Sequence, residues 1–558
     1  MRRLSAFAAA ILALFCAAAT AQTAPRSCGA QWPQDSRARF YSLDQGSRMI
    51  PMAWAQSLKQ ADGSPFLAAD LTRYGFLVNE FAAGLPVGFS TGTVHGEPWL
   101  GMTCAACHTR AIKVANATCI IDGGPAFADF GAFARDLDAA IAAVLPDQPG
   151  FRPFAALVLG GGVNDATLSA LGARVTRWQR DFHLWLSAMP SGTDQPWGPA
   201  RMDAVGMIFN RLVALDLGLP PAQAAANLLP AHAAVRYPFL WNAPTQDYTQ
   251  WTRFAPNSTS IYGLFRNLGE VYGVFGLFAP TKTEWGTVDY LAGNSAEFAG
   301  LGELEDLTRT LAAPRFRDTW PPGQAGAIDD ALAERGQTLF TTAGCAQCHG
   351  KVVQIGLEFA TWRTGPVPLT GDPGTDRLAA VGLDREADSG ILAGERVALL
   401  SPPLGQRDTA KNILTLAVVN SYLQHLLQPN HNLHAAQRHP AFRAADDYAQ
   451  AVASATVIYE ARVLDGVWAA APYLHNGSVP TLADLLEPSG RRPPAFAIGP
   501  RYDPQKVGLA TAQDPQAFVL QTTGCDNLLS GNSRCGHEYG TDLVPDDKRA
   551  LLEYLKTL

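Results

Sequence analysis

Cys104-Ala105-Ala106-Cys107-His108 and Cys345-Ala346-Gln347-Cys348-His349 are the stretches on which the reading of this 558-residue chain turns. Two thiols separated by two residues can each add to a vinyl group of one haem, while the next residue places an imidazole under the iron. A redox dithiol or a zinc site with a coincidental histidine is the competing reading. Zinc, however, needs further ligands at suitable spacing, and neither motif has an obvious second pair beside it. The cofactor-binding set is therefore Cys104, Cys107, His108, Cys345, Cys348 and His349. These attach two covalently bound haem c groups, with His108 and His349 as proximal iron ligands.

An iron coordinated on both faces has no open position for oxygen or peroxide, so the distal ligands decide what each haem can do. Every methionine lies at or before Met207, which leaves the second motif's half of the chain without a thioether. Its candidates are His425, His431, His434, His439, His475 and His537. The cluster from His425 to His439 lies in a polar stretch and reads as solvated. His537 lies in Cys535-Gly536-His537-Glu538-Tyr539-Gly540, where glycines and a disulfide could hold a loop over a cofactor. His475, in Pro472-Tyr473-Leu474-His475-Asn476-Gly477-Ser478, reads first as a hydrogen-bonding residue that fixes its loop. For the first motif the alternatives are His95, His183, His232, Met202, Met207 or no protein ligand. Met102 is too close to Cys104 to reach the opposite face.

Composition sets the compartment and excludes some partners. With 47% hydrophobic and 17% charged residues the chain reads as folded and globular, long enough for two or three domains. Residues 1–21 have a basic head, Arg2 and Arg3, an apolar run from Phe7 to Ala19, and small residues at Ala19 and Ala21, as an export signal cleaved after Ala21 requires. A retained anchor helix is the alternative, for which the apolar run is short. Loss of the two arginines takes the formal net charge of −7 to −9, which argues against nucleic acid as a partner. No later segment is apolar enough to span a membrane, so the mature protein is expected to be soluble, in the periplasm or secreted. Of nine cysteines, eight remain after cleavage. Four lie in the motifs, leaving Cys525 with Cys535, and by elimination Cys28 with Cys119, as expected disulfides.

The apolar patterns predict helices over 66–81, 127–145, 175–186 and 204–215, with a glycine break at Gly160 to Gly162 and a turn-rich stretch between Pro190 and Pro199. Residues 237–285 are dense in aromatics, which either pack a core or wall an apolar chamber. Trp320-Pro321-Pro322-Gly323 reads as a linker. Ile328, Leu332, Gly336 and Leu339 mark a helix leading into the second motif, and a terminal helix carries Leu551, Leu552, Leu555 and Leu558, with Gly336 allowing the two to cross closely. The expected fold is mainly α: two cytochrome c-like haem domains with long loops and a helical, aromatic-rich intervening region. Its expected parts are the signal peptide 1–21, an N-terminal haem domain 22–320 and a C-terminal haem domain 321–558.

Taken together, these residues resemble the di-haem cytochrome c peroxidase superfamily, closest to its branch of rubber oxygenases and related fatty-acid dioxygenases. Besides both motifs, the resemblance is carried by Asp44-Gln45-Gly46-Ser47-Arg48, Tyr237-Pro238-Phe239-Leu240-Trp241-Asn242, Arg266-Asn267-Leu268-Gly269-Glu270, Leu474-His475-Asn476-Gly477-Ser478 and Gly536-His537-Glu538-Tyr539-Gly540. It implies an open, dioxygen-binding haem on His108 and an electron-relay haem held by His349 and His537. Glu270, with Arg266 and Phe265, would stand at the catalytic position. The plainer role for Glu270 is an ion pair with Arg266 four residues earlier.

The leading expectation is a dioxygenase acting on an unsaturated apolar small molecule or polymer, an isoprenoid or a fatty acid. A peroxidase reducing hydrogen peroxide, with Glu270 as acid-base group, is the alternative. A pure di-haem electron carrier is the third reading. A small redox protein as electron donor and a structural calcium ion complete the expected partners and cofactors.

Overall fold

Strands, not helices, frame the first motif. The computed structural model describes residues 26–27, 31–114, 117–192, 194–350, 352–355, 360–363, 365–368, 374–397, 401–427, 440–454 and 458–558. In it β1 (Phe89–Val94) and β2 (Glu97–Met102) form an antiparallel hairpin that turns at His95 and Gly96, both at positive φ. A second antiparallel pair, β3 (Thr109–Val114) and β4 (Ala117–Asp122), begins directly after the motif. Between the two ribbons Cys104–Ala106 makes one 3-10 turn, with the Thr103 side chain accepting from the Ala105 N–H. The β-branched Thr109, Ile112 and Val114 in β3 and Thr118, Ile120 and Ile121 in β4 favour the pleated surface over a helix.

Helices hold most of the remaining regular residues. They include α1 (Phe130–Ala142), α2 (Asp165–Leu186), α3 (Ala204–Arg211), α4 (Ser260–Gly273), α5 (Phe298–Arg309), α6 (Asp330–Thr342), α7 (Cys345–His349), α8 (Ala410–Leu427) and α9 (Pro440–Ala453). A short strand β5 (Ile458–Ala461) and the terminal α10 (Pro545–Leu555) follow. Side-chain oxygens of Asp129, Asn164, Thr259 and Asp329 cap α1, α2, α4 and α6.

The mainly α expectation is corrected: the chain is 43% helical and 15% strand, a mixed α and β fold. The helix expected over 66–81 is also absent. Only Ala68–Tyr74 turns, as a 3-10 helix, and Gly75 ends it in the left-handed conformation. The export signal and Cys28 lie outside the described residues. Among the described residues no helix is long and apolar enough to cross a membrane.

The core joins parts distant in sequence. One apolar cluster includes Phe239, Trp241, Phe316, Trp320, Trp468, Tyr473 and Leu551, so residues on both sides of the Pro321-Pro322-Gly323 stretch pack together. Another packs α4 against α8 and α9 through Phe265, Leu268, Leu414, Val418 and Tyr448. The segment 44–48 ties this second cluster to the first motif. Ser47 Oγ donates to Val274 O at the end of α4 (2.6 Å) and accepts from Met102 N at the end of β2 (3.0 Å). Asp44 meanwhile grips the Arg48 guanidinium with both oxygens at 2.8 Å.

α6 and α10 cross where Gly336 lies against the backbone of Ala550. A Cβ at position 336 would stand 2.0 Å from Ala550 O, backbone that cannot swing aside. Gly336→Ala therefore lowers the melting temperature of the protein, with a cost of about 1–3 kcal/mol. An unchanged melting curve would contradict that close crossing.

Candidate haem centres

His108 is held by the backbone. Its Nδ1 lies 2.8 Å from Pro238 O. A carbonyl only accepts, so Nδ1 carries the proton and Nε2 keeps the lone pair that binds a metal. Burial, with the charge of Arg462 adding to it, pulls the imidazole down to about 4 and keeps it neutral, although the bond to Pro238 opposes the shift. The motif thiols are held too. Cys104 Sγ lies 3.2 Å from Gln45 Oε1, and Tyr237, whose hydroxyl donates to Ala128 O at 3.3 Å, acts on the Cys107 thiol.

His349, at the end of α7, has the same arrangement: its Nδ1 donates to Arg462 O at 2.8 Å, and burial lowers its pKa. Across from it stands His537, with ring centroids 6.3 Å apart. Two imidazoles bound to opposite faces of one metal, each through a bond of about 2.0 Å, have centroids about 6 Å apart. The loop is pinned by the buried Arg492, which donates to Gly536 O (2.6 Å) and His537 O (3.0 Å). A Cys525–Cys535 disulfide closes it. Burial, with His349 and Arg492 adding to it, pulls the His537 imidazole down to about 3 and keeps it neutral, and its Nδ1 has no hydrogen-bond partner among the described residues.

The other histidines are engaged elsewhere. His475 stacks on Tyr459 at 4.1 Å, and its carbonyl accepts from Arg236 N. His425 stacks on Phe298 at 4.0 Å. His183 pairs with Asp138 and His232 faces Asp194, both at the surface. His95 sits in the exposed β1–β2 turn. His431, His434 and His439 lie outside the described residues. Met102, Met202 and Met207 are packed in the apolar core.

α4 brings Phe265, Arg266 and Glu270 towards the first motif, where the charges of Glu270 and Arg266 both act on the Cys104 thiol. Arg266 is not the direct partner of Glu270. It donates to Glu305 on α5 and to Asn257, each at 2.5 Å, while Glu270 Oε1 accepts from Gln250 Nε2 at 2.9 Å. Burial raises the Glu270 pKa, and Arg266 and Gln250 partly offset it. Phe265 is enclosed by Tyr448 (5.1 Å) and Tyr422 (5.5 Å). Of the aromatics in 237–285, Trp241, Phe265, Tyr272 and Phe275 are buried, whereas Trp285 is 90% exposed.

The residues present fit haem on a second count. Arg110, Arg201, Arg236 and Arg462 are all buried. Burial, with neighbouring cations adding, pulls Arg236 down to about 9, and burial pulls Arg110 and Arg201 to about 10. Arg110 Nε and Nη2, Arg201 Nε and Nη1, Arg462 Nε and both amide atoms of Gln246 lack a hydrogen-bond partner among the described residues. Arg462 has Glu460 at 4.0 Å, whereas Arg110 and Arg201 in that condition need counter-charge of the kind the propionate carboxylates of haem carry. No grouping of three or more His, Cys, Asp and Glu side chains suited to a metal ion occurs among the described residues, so the structural calcium ion gains no support. Cys119 is disulfide-bonded, and its expected partner, Cys28, lies outside the described residues.

The sequence reading missed Pro238, Arg462, Gln250 and Glu305. The first two act through backbone carbonyls, which leave no side-chain signature. The other two are distant in sequence from the residues they touch.

Residues 458–497 match the family described as RoxA-like, cytochrome c-like. The matched segment begins with the strand that leads to Arg462 and includes His475. The chain is 30% identical over 579 residues to the uncharacterised protein y4iJ of Sinorhizobium fredii, an alignment spanning 94% of this chain and 92% of that one. A second uncharacterised protein of that organism, y4iM, is 30% identical over 280 residues, 45% of this chain and 54% of that one. The family match makes haem c the cofactor class. It lies only towards the C-terminus, which corrects the expectation of a second cytochrome c-like domain around the first motif.

Two outcomes test this geometry. His537→Ala should convert a haem held by His349 from a low-spin to a high-spin optical spectrum, and an unchanged spectrum removes His537 as a ligand. Glu460, wholly buried beside Arg462, is pushed by burial from 4.5 up to about 7. A carboxyl raised in the folded state stabilises it fully below about 4.5 and loses that contribution as pH rises through about 7. Melting temperatures of Glu460→Gln should therefore vary less over this window than those of the parent and lie above them at higher pH. Parallel curves would refute the assignment.

Proposed function

The chain belongs to the RoxA-like, cytochrome c-like family, and from that premise we propose that it is an exported di-haem oxidoreductase, a dioxygenase of an unsaturated apolar compound working at the first haem. The observation that carries this reading is an asymmetry. His349 faces the imidazole of His537, whereas the aromatic neighbour of His108 among the described residues is Tyr237, at 6.5 Å. An imidazole on each side suits an electron-relay centre, and an imidazole on one side alone suits a reaction centre.

Cys104 and Cys107 would attach the first haem and His108 would hold its iron; Cys345, Cys348, His349 and His537 would do the same for the second. Haem, when bound, supplies the redox and oxygen chemistry. Phe265, Tyr448 and Tyr422 exclude water on one flank of the first motif and give an alkene an apolar surface. Arg266 is locked by Glu305 and Asn257 and fixes the charge beside Glu270.

Glu270 favours a second reading, peroxide reduction. Burial raises its pKa, and Gln250 orients it. A carboxyl so placed can hold and deliver a proton at Oε1 or Oε2, as cleavage of an O–O bond demands.

The test begins with intact mass of natively matured protein, which must show two covalent haem additions. Carbon monoxide must then perturb one reduced haem and spare the other. If neither responds, both enzyme readings fail and a carrier remains. Products formed from an isoprenoid or a fatty acid under oxygen, compared with peroxide turnover, separate the two chemistries. Glu270→Gln lowers peroxide turnover by about 10²–10⁴-fold if Glu270 is the acid-base group. Near-unchanged turnover would remove it from that role.

A further inference from the structure

One residue touches the support of both proximal histidines. The backbone carbonyl of Arg462 accepts from His349 Nδ1 at 2.8 Å. Its guanidinium donates through Nη2 to Phe239 O at 3.5 Å and lies over the Phe239 ring, 4.7 Å from the centroid. The residue before Phe239 is Pro238, whose carbonyl accepts from His108 Nδ1 at 2.8 Å. A continuous route therefore runs from one imidazole to the other: His108, the Pro238 carbonyl, residue Phe239 and its own carbonyl one peptide further on, the Arg462 side chain, the Arg462 carbonyl, His349.

The route is buried and stiff. Arg462 is 6% exposed and Phe239 1%. The Phe239 ring stacks on Trp241 at 4.7 Å with the planes 10° apart, and Trp241 Nε1 donates to Asp465 O at 2.6 Å. The other face of the guanidinium environment is Trp251, whose centroid is 5.3 Å away. The 3.5 Å bond is the weakest link, and the cation over the ring reinforces it. The strength of an imidazole's bond to its carbonyl tunes its basicity as a ligand, so a shift at one iron can reach the other along this route.

We propose that Arg462 is a positioning residue that couples the two haem centres, by holding the carbonyl and ring of Phe239, the residue next to the carbonyl that orients His108, while its own carbonyl orients His349. This rests on the di-haem reading above. The strand end that presents Arg462 gives the residue two functions at once, and only the side-chain half can be removed by mutation.

The test is a spectroelectrochemical titration of the second haem, with and without cyanide bound at the first, on protein verified by mass to carry two haems. In the parent, cyanide shifts the reduction equilibrium of the second haem by about fivefold or more, within the usual range for coupled sites. Arg462→Gln leaves the His349 carbonyl bond and the low-spin spectrum intact but brings that shift below about twofold. Arg462→Lys keeps the charge and loses the planar fork, and it should fall with Gln. The absolute potential moves in Arg462→Gln merely because a cation is lost, so the cyanide-induced shift is the decisive readout. No shift in the parent, or an undiminished shift in either variant, overturns the proposal. If Arg462→Gln does not mature, Phe239→Leu removes the ring beneath the guanidinium and must reduce the shift; a full shift there overturns the proposal equally. Protein lacking two haems instead refutes the di-haem reading itself.

Discussion

A histidine can serve a metal only through a nitrogen whose lone pair is free, and in both motifs a backbone carbonyl enforces that state. Pro238 O and Arg462 O each stand 2.8 Å from an Nδ1. A carboxylate could do the same, at the price of another buried charge beside the iron. The carbonyl adds none, and it cannot rotate away, because its direction is fixed by the backbone. Much of the fold can then be read as a means of placing two peptide groups. Phe239 and Trp241 stack in the core to fix the first, and β5 leads into the second.

The interior that surrounds these peptides is unusually cationic. Arg110, Arg201, Arg236 and Arg462 are buried, with Glu460 and Asp376 among the few acids that act on them. Desolvation of so many guanidinium groups opposes folding unless anions arrive with the cofactor. Haem attachment and folding would then be linked: a haem bound through the thiols would bring carboxylates to balance the charge of these buried guanidinium groups.

The parts of the site legible in the sequence are those written in side chains at fixed local spacing. The two attachment motifs, the paired Cys525 and Cys535 and the Gly536-His537 loop belong to this class. So does the crossing at Gly336, since only a missing Cβ permits a helix backbone to come that close. The surroundings of the first motif were not legible. Phe66 to Phe81 has apolar residues at helical spacing, but Gly75 stops the turn after Tyr74. The short β1 and β2 gain their stability from pairing with each other, which no local pattern reveals. Glu270 and Arg266 look like an ion pair at a spacing of four, yet the guanidinium is taken by Glu305 from another helix. Tertiary competition for a partner lies beyond the reach of local spacing.

The difference between the two centres follows from how each is built. The second motif is followed by a long return of chain, and the C-terminal loop comes back under Arg492 and a disulfide to set His537 opposite His349. The first motif is clamped at once by strands on either side, and the element that reaches it is α4, carrying a carboxyl, a locked guanidinium and an aromatic ring. None of these would be a strong ligand for a haem held by His108, but each could act on a molecule beside it. A helix that brings an acid and an apolar face to the first motif, and a pinned loop that brings an imidazole to the second, are what set the two motifs apart.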